Sequence, residues 1–387
     1  MSEYKPTAGK LASLLESEPR LKELLEKSIR AAAKENPDPR TNPVRSLEDY
    51  FHFIDRCSGS MPWDLLDGAE DDGVYDRIDQ GLNYFYFLND RPLAELDGRG
   101  LYNASVQYVG AYRSWLVEFA RGWGEYLSRP ETWGDEYLAL ARSDERFGLG
   151  KGWYESPDNW HSFNDFFARR LSSPAVRPIA AEGDDSVVCS PADSTPCGVW
   201  KIDDDSKIIC SGEKNVKSQN FASVCDLLGP DSRYRESFAG GSLTHSFLDV
   251  HDYHRYHFPV SGRVLEAGLI PQECASGGLT RWDAERRKYV LDSELPDWQM
   301  NETRGCVVVE TERGLAALLP VGMSQVSSVN FGPDVKPGAR FRKGDELGWF
   351  LFGGSDFVMV FQKSMGFELT ARAGEHILMG QEYGKLK

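Results

Sequence analysis

Three short stretches of this sequence bring together side chains able to do chemistry. In the first, Gly353, Gly354 and Ser355 stand between two apolar runs, from Leu351 to Phe361. Paired glycines allow positive φ and close backbone approach, and a serine hydroxyl becomes a nucleophile once a positioned base takes its proton. Taken alone, the segment reads first as a tight turn or bulge between strands. The second stretch holds His251, His254 and His257, with His245 just upstream, so that four of the seven histidines lie close together. Imidazole suits proton transfer near neutral pH. A metal is the rival reading, but on a strand His251 and His257 share a face while His254 points away, and no H-E-x-x-H pattern supports it. In the third stretch, Val187 to Ser194, a short strand runs into a turn carrying Asp193. That carboxylate matters if it orients a histidine, as the acid of a Ser/His/Asp set does.

The elements that must position these groups change character near residue 160. Before it the chain reads helical. Ser17 is placed to cap a helix with Pro19 in its first turn and a stripe of Leu21, Leu24, Leu25 and Ile29. Further helices are expected over 46–56 and 106–127, the latter with Val109, Tyr112, Trp115, Leu116 and Phe119 on one face. After about Asn164, short apolar runs alternate with Gly, Pro, Asp and Ser, and Glu312-Arg313-Gly314 reads as a hairpin connection. The expectation is an α+β protein: a helical region over 1–159, then a β-rich, barrel-sandwich-like domain over 160–387.

Composition narrows the partners. Of 387 residues, 41% are hydrophobic and 27% charged, which is ordinary globular usage. Asp plus Glu number 60 against 44 for Lys plus Arg, a net charge of −16 that repels phosphate backbones and anionic lipid headgroups alike. No nucleic-acid partner is therefore expected. The seven cysteines are odd in number, scattered and free of C-x-x-C spacing, as for buried thiols in a reducing compartment. With no apolar N-terminal leader and no run long enough to span a bilayer, the reading is of a soluble, cytoplasmic protein.

Together, and in the order Asp193, His254, Ser355, the three stretches resemble the phosphatidylserine decarboxylase family. The resemblance begins at the Phe-rich, Arg-bearing segment 163–171 and at Arg177-Pro178-Ile179, and covers about residues 160–365. It implies a self-processing, pyruvoyl-dependent decarboxylase, with no metal and no diffusible cofactor. Asp193 would orient His254, and His254 would deprotonate Ser355. The Ser355 oxygen would then attack the Gly354 carbonyl, and β-elimination would release residues 1–354 and leave a pyruvoyl group in place of Ser355. The substrate amine would form a Schiff base with that group, whose carbonyl accepts electrons as CO2 leaves. His254, then His257, would return a proton. The two fragments would stay associated, and the family leaves room for a homodimer. Two positions depart from the family pattern: Asp356 replaces the usual Thr or Ser, and Ser194 the usual Gly. A carboxylate at 356 would either hinder deprotonation of Ser355 or take over part of the triad.

The acidic, helical first 160 residues are similar to the soluble branch of the family, which includes fungal tryptophan decarboxylases. They favour a free amino acid as substrate, with aromatic amino acids among the candidates. Phosphatidylserine is the alternative, giving phosphatidylethanolamine through peripheral membrane contact. Two further readings stay open: an unprocessed, non-catalytic homologue, and a biotinyl- or lipoyl-type carrier suggested by the turn-and-strand pattern over 335–348.

Overall fold

The computed structural model describes residues 4–66, 73–96, 104–209, 223–271, 278–292, 296, 298–323 and 328–387. Its helices are α1 (Pro6–Ser17), α2 (Pro19–Glu35), α3 (Leu47–Cys57), α4 (Val74–Asn89), α5 (Gly110–Leu127), α6 (Asp135–Ser143), α7 (Phe163–Phe167) and α8 (Val224–Leu228). In α2 the expected stripe of Leu21, Leu24, Leu25 and Ile29 is buried, with Pro19 in the first turn. Ser17 does not cap it: Ser17 closes α1, its hydroxyl donating to the Leu14 carbonyl at 2.8 Å, and Glu18 takes the N-cap place. Ser46 does cap α3, accepting the Asp49 N–H at 3.1 Å. The expected 106–127 helix opens as a 3-10 turn over 106–108 before α5 begins at Gly110.

The strands are β1 (Val187–Cys189), β2 (Thr195–Ile202), β3 (Ile208–Ile209), β4 (Ser242–Leu248), β5 (Arg255–His257), β6 (Gly262–Ile270), β7 (Leu279–Asp283), β8 (Lys288–Asp292), β9 (Thr303–Thr311), β10 (Gly314–Met323), β11 (Val329–Phe331), β12 (Arg340–Phe341), β13 (Glu346–Phe350), β14 (Gly354–Phe361), β15 (Glu368–Leu369) and β16 (Glu382–Lys385). An eight-stranded sheet runs β12-β6-β9-β10-β14-β4-β2-β3, beside β1-β16-β15, β11-β13-β5 and the β7-β8 hairpin. All strand pairs described are antiparallel, and the fold is α+β. The β9–β10 connection is the hairpin anticipated at Glu312-Arg313.

Alternation along β14 sorts its side chains between two cores. Phe357, Met359 and Phe361 join a cluster that also contains Leu25 of α2, Phe53 of α3, Trp123 of α5 and Phe163 of α7. Val358 and Val360 face the other way, with Trp298, Leu243 and Leu319. One apolar core thus runs from the N-terminal helices into the sheet, and the helices cover the face on which Ser355 lies. Among the described residues, no helix is long and apolar enough to cross a membrane.

Candidate active site

Ser355 stands near the start of β14, between Gly322 of β10 and Leu248 of β4. Both neighbouring strands hold it, and it is fully buried. Among the described residues its Oγ has no hydrogen-bond partner, a costly state for a buried hydroxyl and one expected where a group is held for reaction. Just upstream, Gly353 takes φ +151°, which a side chain would disfavour. The bend is fixed from α7, whose N-cap Ser162 accepts the Asp165 N–H. Asn164 accepts the Phe352 N–H at 3.0 Å and donates to the Ser128 hydroxyl at 2.9 Å. The Phe352 ring sits 5.3 to 5.5 Å from those of Trp123, Phe163 and Phe167.

His254 packs into the same aromatic cluster, its ring stacked on Phe167 at 3.8 Å. Its Nδ1 lies 3.0 Å from the Asp252 carbonyl. A carbonyl only accepts, so Nδ1 carries the proton and Nε2 presents a lone pair. That Nε2 is buried and has no partner among the described residues. Burial holds the His254 pKa well below the usual imidazole value, with the Arg169 guanidinium adding to the effect. Arg169 in turn donates to the carbonyls of His251 and Asp252, at 2.7 and 2.9 Å, fixing the segment that bears the histidine. His257 is also buried and its pKa is also lowered by burial. Its Nδ1 donates to the Gly344 carbonyl at 2.8 Å, which leaves Nε2 to accept the Tyr253 hydroxyl at 3.1 Å.

Asp193 does not make the expected contact with His254. Its carboxylate takes a two-pronged ion pair from Arg177, at 3.0 and 2.6 Å, and the Met379 N–H at 2.7 Å. In a buried site a fixed guanidinium is a stronger partner for a carboxylate than a neutral imidazole. The turn carrying Asp193 touches β5 at the other histidine, where Pro191 accepts the His257 N–H at 2.8 Å.

Asp356 lies on the opposite face of β14 from Ser355. Its carboxylate is 2.9 Å from His245 Nδ1 and accepts the Gln299 side-chain N–H at 2.8 Å. Trp200 stacks on the imidazole. Burial alone would strip the His245 proton, yet the Asp356 charge raises its pKa well above the ordinary value. Asp356 therefore neither crowds the Ser355 hydroxyl nor joins a triad with it, because successive side chains on a strand point apart. Ser194 donates its N–H to the distant Ile377 carbonyl at 2.9 Å and its hydroxyl to the nearby Ala192 carbonyl at 3.3 Å.

Sequence reasoning assigned no role to several of these groups. Asn164, Phe167, Arg169 and Arg177 lie inside the stretches that carried the family resemblance, which was the available signal. His376, whose Nε2 is 2.7 Å from Asp252, had none. The carrier reading finds no support at Lys343, whose ammonium is buried and donates to the carbonyls of Ala181, Asp184 and Val187. Among the described residues no His, Cys, Asp or Glu group is arranged to hold a metal ion. Cys210 and Cys274 lie outside the described residues, and the other five cysteines are free thiols.

Residues 163–385 match the family model described as phosphatidylserine decarboxylase. Decarboxylase iboD of Amanita muscaria is 29% identical over 297 residues, covering 69% of this chain and 82% of that protein. Phosphatidylserine decarboxylase proenzyme 2 of Oryza sativa subsp. japonica is 30% identical over 275 residues. That match covers 69% of this chain but 40% of the rice protein, so the chain spans less than half of that relative. The phosphatidylserine decarboxylase proenzyme of Saccharophagus degradans is 30% identical over 246 residues, 57% of this chain and 78% of its own.

Proposed function

This chain belongs to the phosphatidylserine decarboxylase family, and from that premise we propose that it is a carboxy-lyase that cuts itself between Gly354 and Ser355 to make its own pyruvoyl group. The observation that carries this reading is that two buried atoms, Ser355 Oγ and His254 Nε2, lack partners among the described residues, while the His254 ring and the Phe352 ring just before the cut both pack on Phe167. His254 Nε2 takes the hydroxyl proton, and Oγ attacks the Gly354 carbonyl, so that the peptide C–N bond is exchanged for an ester. Loss of the Ser355 α-proton then expels the Gly354 carboxylate. The enamine left behind takes up water and releases ammonia, giving the ketone. Phe167 and the Asp252 carbonyl hold the imidazole in the tautomer that accepts a proton.

Residue 355 is enclosed by β10, β4 and the aromatic cluster, which fits a small ketone and excludes bulk water from it. The pyruvoyl carbonyl would supply an electrophile for the substrate amine and an electron sink for loss of CO2. His254 is placed to return a proton once its role in the cut is over, with His257 as the second donor. Asp193 holds Arg177 and the Met379 backbone, a positioning task.

A second reading of the cut has its own support. The turn bearing Asp193 docks on β5 at His257, so His257 is the alternative base for Ser355. Substituting each histidine by Gln and following the two fragments on a denaturing gel separates the two readings. The reading preferred here requires His254→Gln to stay uncut. Ser355→Ala should give one intact, inactive chain, and mass spectrometry of the parent's small fragment should find a pyruvoyl terminus.

For the substrate we infer a free amino acid. The helices bury the sheet face that holds Ser355, and among the described residues the exposed large apolar side chains are Val199, Ile209 and Leu269, too scattered for a lipid-facing patch. The net charge of −16 also opposes an anionic membrane. Phosphatidylserine remains the competing substrate, as the names of the rice and bacterial relatives suggest. A CO2-release screen of free amino acids against phosphatidylserine vesicles decides between them, and turnover confined to vesicles would overturn the preference.

A further inference from the structure

Leu248, the cross-strand partner of Ser355, also lines a cavity of about 490 Å³ between α4, the end of β4 and the β7–β8 hairpin. This volume lies in the range of roughly 300–1,000 Å³ usual for small-molecule sites. Its walls combine rings and aliphatic groups, among them Tyr75, Leu82 and Phe247, with Asn83 and the carboxylates of Asp79 and Asp249. Asp79 accepts from Asn83 at 2.9 Å and from Gln80 at 2.8 Å, and among the described residues no basic side chain pairs with it. Burial and the neighbouring Asp249 charge push its pKa up to about 7. Asp249 accepts the Tyr75 hydroxyl at 2.7 Å. Of the cations at the cavity, Lys288 is bonded to Asp76 at 2.7 Å, and the Arg286 side chain is largely exposed beside Asp283.

The cavity is also wired to the proposed base. Asp252 accepts the Asp249 N–H at 2.8 Å through its side chain, and its own carbonyl holds His254. A substrate seated here would therefore touch the turn that positions the imidazole. A phosphodiester would have to face two carboxylates in this space. A flat ring edged by a hydrogen-bond donor would place apolar faces on the walls and its donor on an oxygen of Asp249 or of ionised Asp79.

We propose that this cavity receives the substrate side chain, and that Asp79 and Asp249 select an aromatic amino acid whose ring carries an N–H or O–H donor. The inference rests on the free-amino-acid reading above. The test compares kcat/KM of the matured enzyme for tryptophan, tyrosine, phenylalanine and leucine, with phosphatidylserine vesicles assayed in parallel. Tryptophan or tyrosine should exceed phenylalanine by about tenfold, the worth of one charge-assisted hydrogen bond, and Asp79→Asn should bring that ratio toward one. A second variant, Val290→Phe, fills the cavity from the partly exposed hairpin and should raise KM for the preferred ring by about tenfold. It keeps the question open to test even if Asp79→Asn fails to fold or to mature. Turnover of free amino acids with neither variant moving these values would overturn the cavity assignment and leave the amino-acid reading standing. Turnover of vesicles alone would overturn both.

Discussion

Around Ser355, charge is sorted by strand alternation, so adjacent residues have unrelated fates. Ser355 faces the aromatic cluster with a free hydroxyl, while Asp356 is spent on His245 behind the sheet. Removing one partner of that buried pair should cost about 3–5 kcal/mol. On an uncut Ser355→Ala background, Asp356→Asn should lower the urea midpoint sharply, and adding His245→Gln should recover part of the loss, a coupling that a double-mutant cycle measures. The histidines also set a pH dependence. His254 is buried neutral with a lowered pKa. Its stabilising share is present above the unfolded value of about 6.5 and is lost as pH falls toward the folded value, by at most ~1.4 kcal/mol per pH unit. The raised pKa values of His245 and His376 act in the opposite sense, but their contributions are complete below about 6.5. The stability lost between pH 6.5 and 5 should therefore be smaller in Ser355→Ala/His254→Gln than in Ser355→Ala, read from urea midpoints at each pH.

At the scale of elements, short pieces position the chemistry. The five-residue α7 holds Phe352 through Asn164 and stacks Phe167 on His254. In Asn164→Ala the buried Phe352 N–H would lose its acceptor, a penalty of about 1–3 kcal/mol. Appearance of the small fragment after cell-free translation should be slower than in the parent. The β11-β13-β5 sheet carries His257 and abuts His254. Any Cβ at Gly348 would lie 1.9 Å from the Asn330 carbonyl oxygen, so the strands would have to part. Gly348→Ala should destabilise by more than about 2 kcal/mol and impair processing, both visible in a melt and a gel.

For the whole molecule, the proposed cut would fall at the start of an inner strand. In the intact chain β14 lies between β10 and β4, and β16 pairs with β1, so these pairings would bridge the fragment boundary. Both fragments should co-elute on gel filtration and separate only in denaturant. Because one apolar core joins the helices to the sheet, residues 160–387 expressed alone would expose that face and should aggregate or remain uncut, whereas co-expressed residues 1–159 should restore solubility.

What the sequence determined by itself was local or carried in short motifs. The helix over 46–56, the stripe of α2, the Glu312-Arg313 hairpin and the family-bearing segments are each readable from neighbouring residues. Helix α4 escaped because its second half, Gly81 to Asn89, is buried on every side and so shows no 3.6-residue period. The partners of the charged groups were decided only in three dimensions. Arg177 with Asp193, Asp356 with His245 and Asp252 with His376 join residues 16, 111 and 124 positions apart. A carboxylate in a packed interior takes whichever cation the folded chain brings within reach, and spacing along the sequence carries no record of that choice.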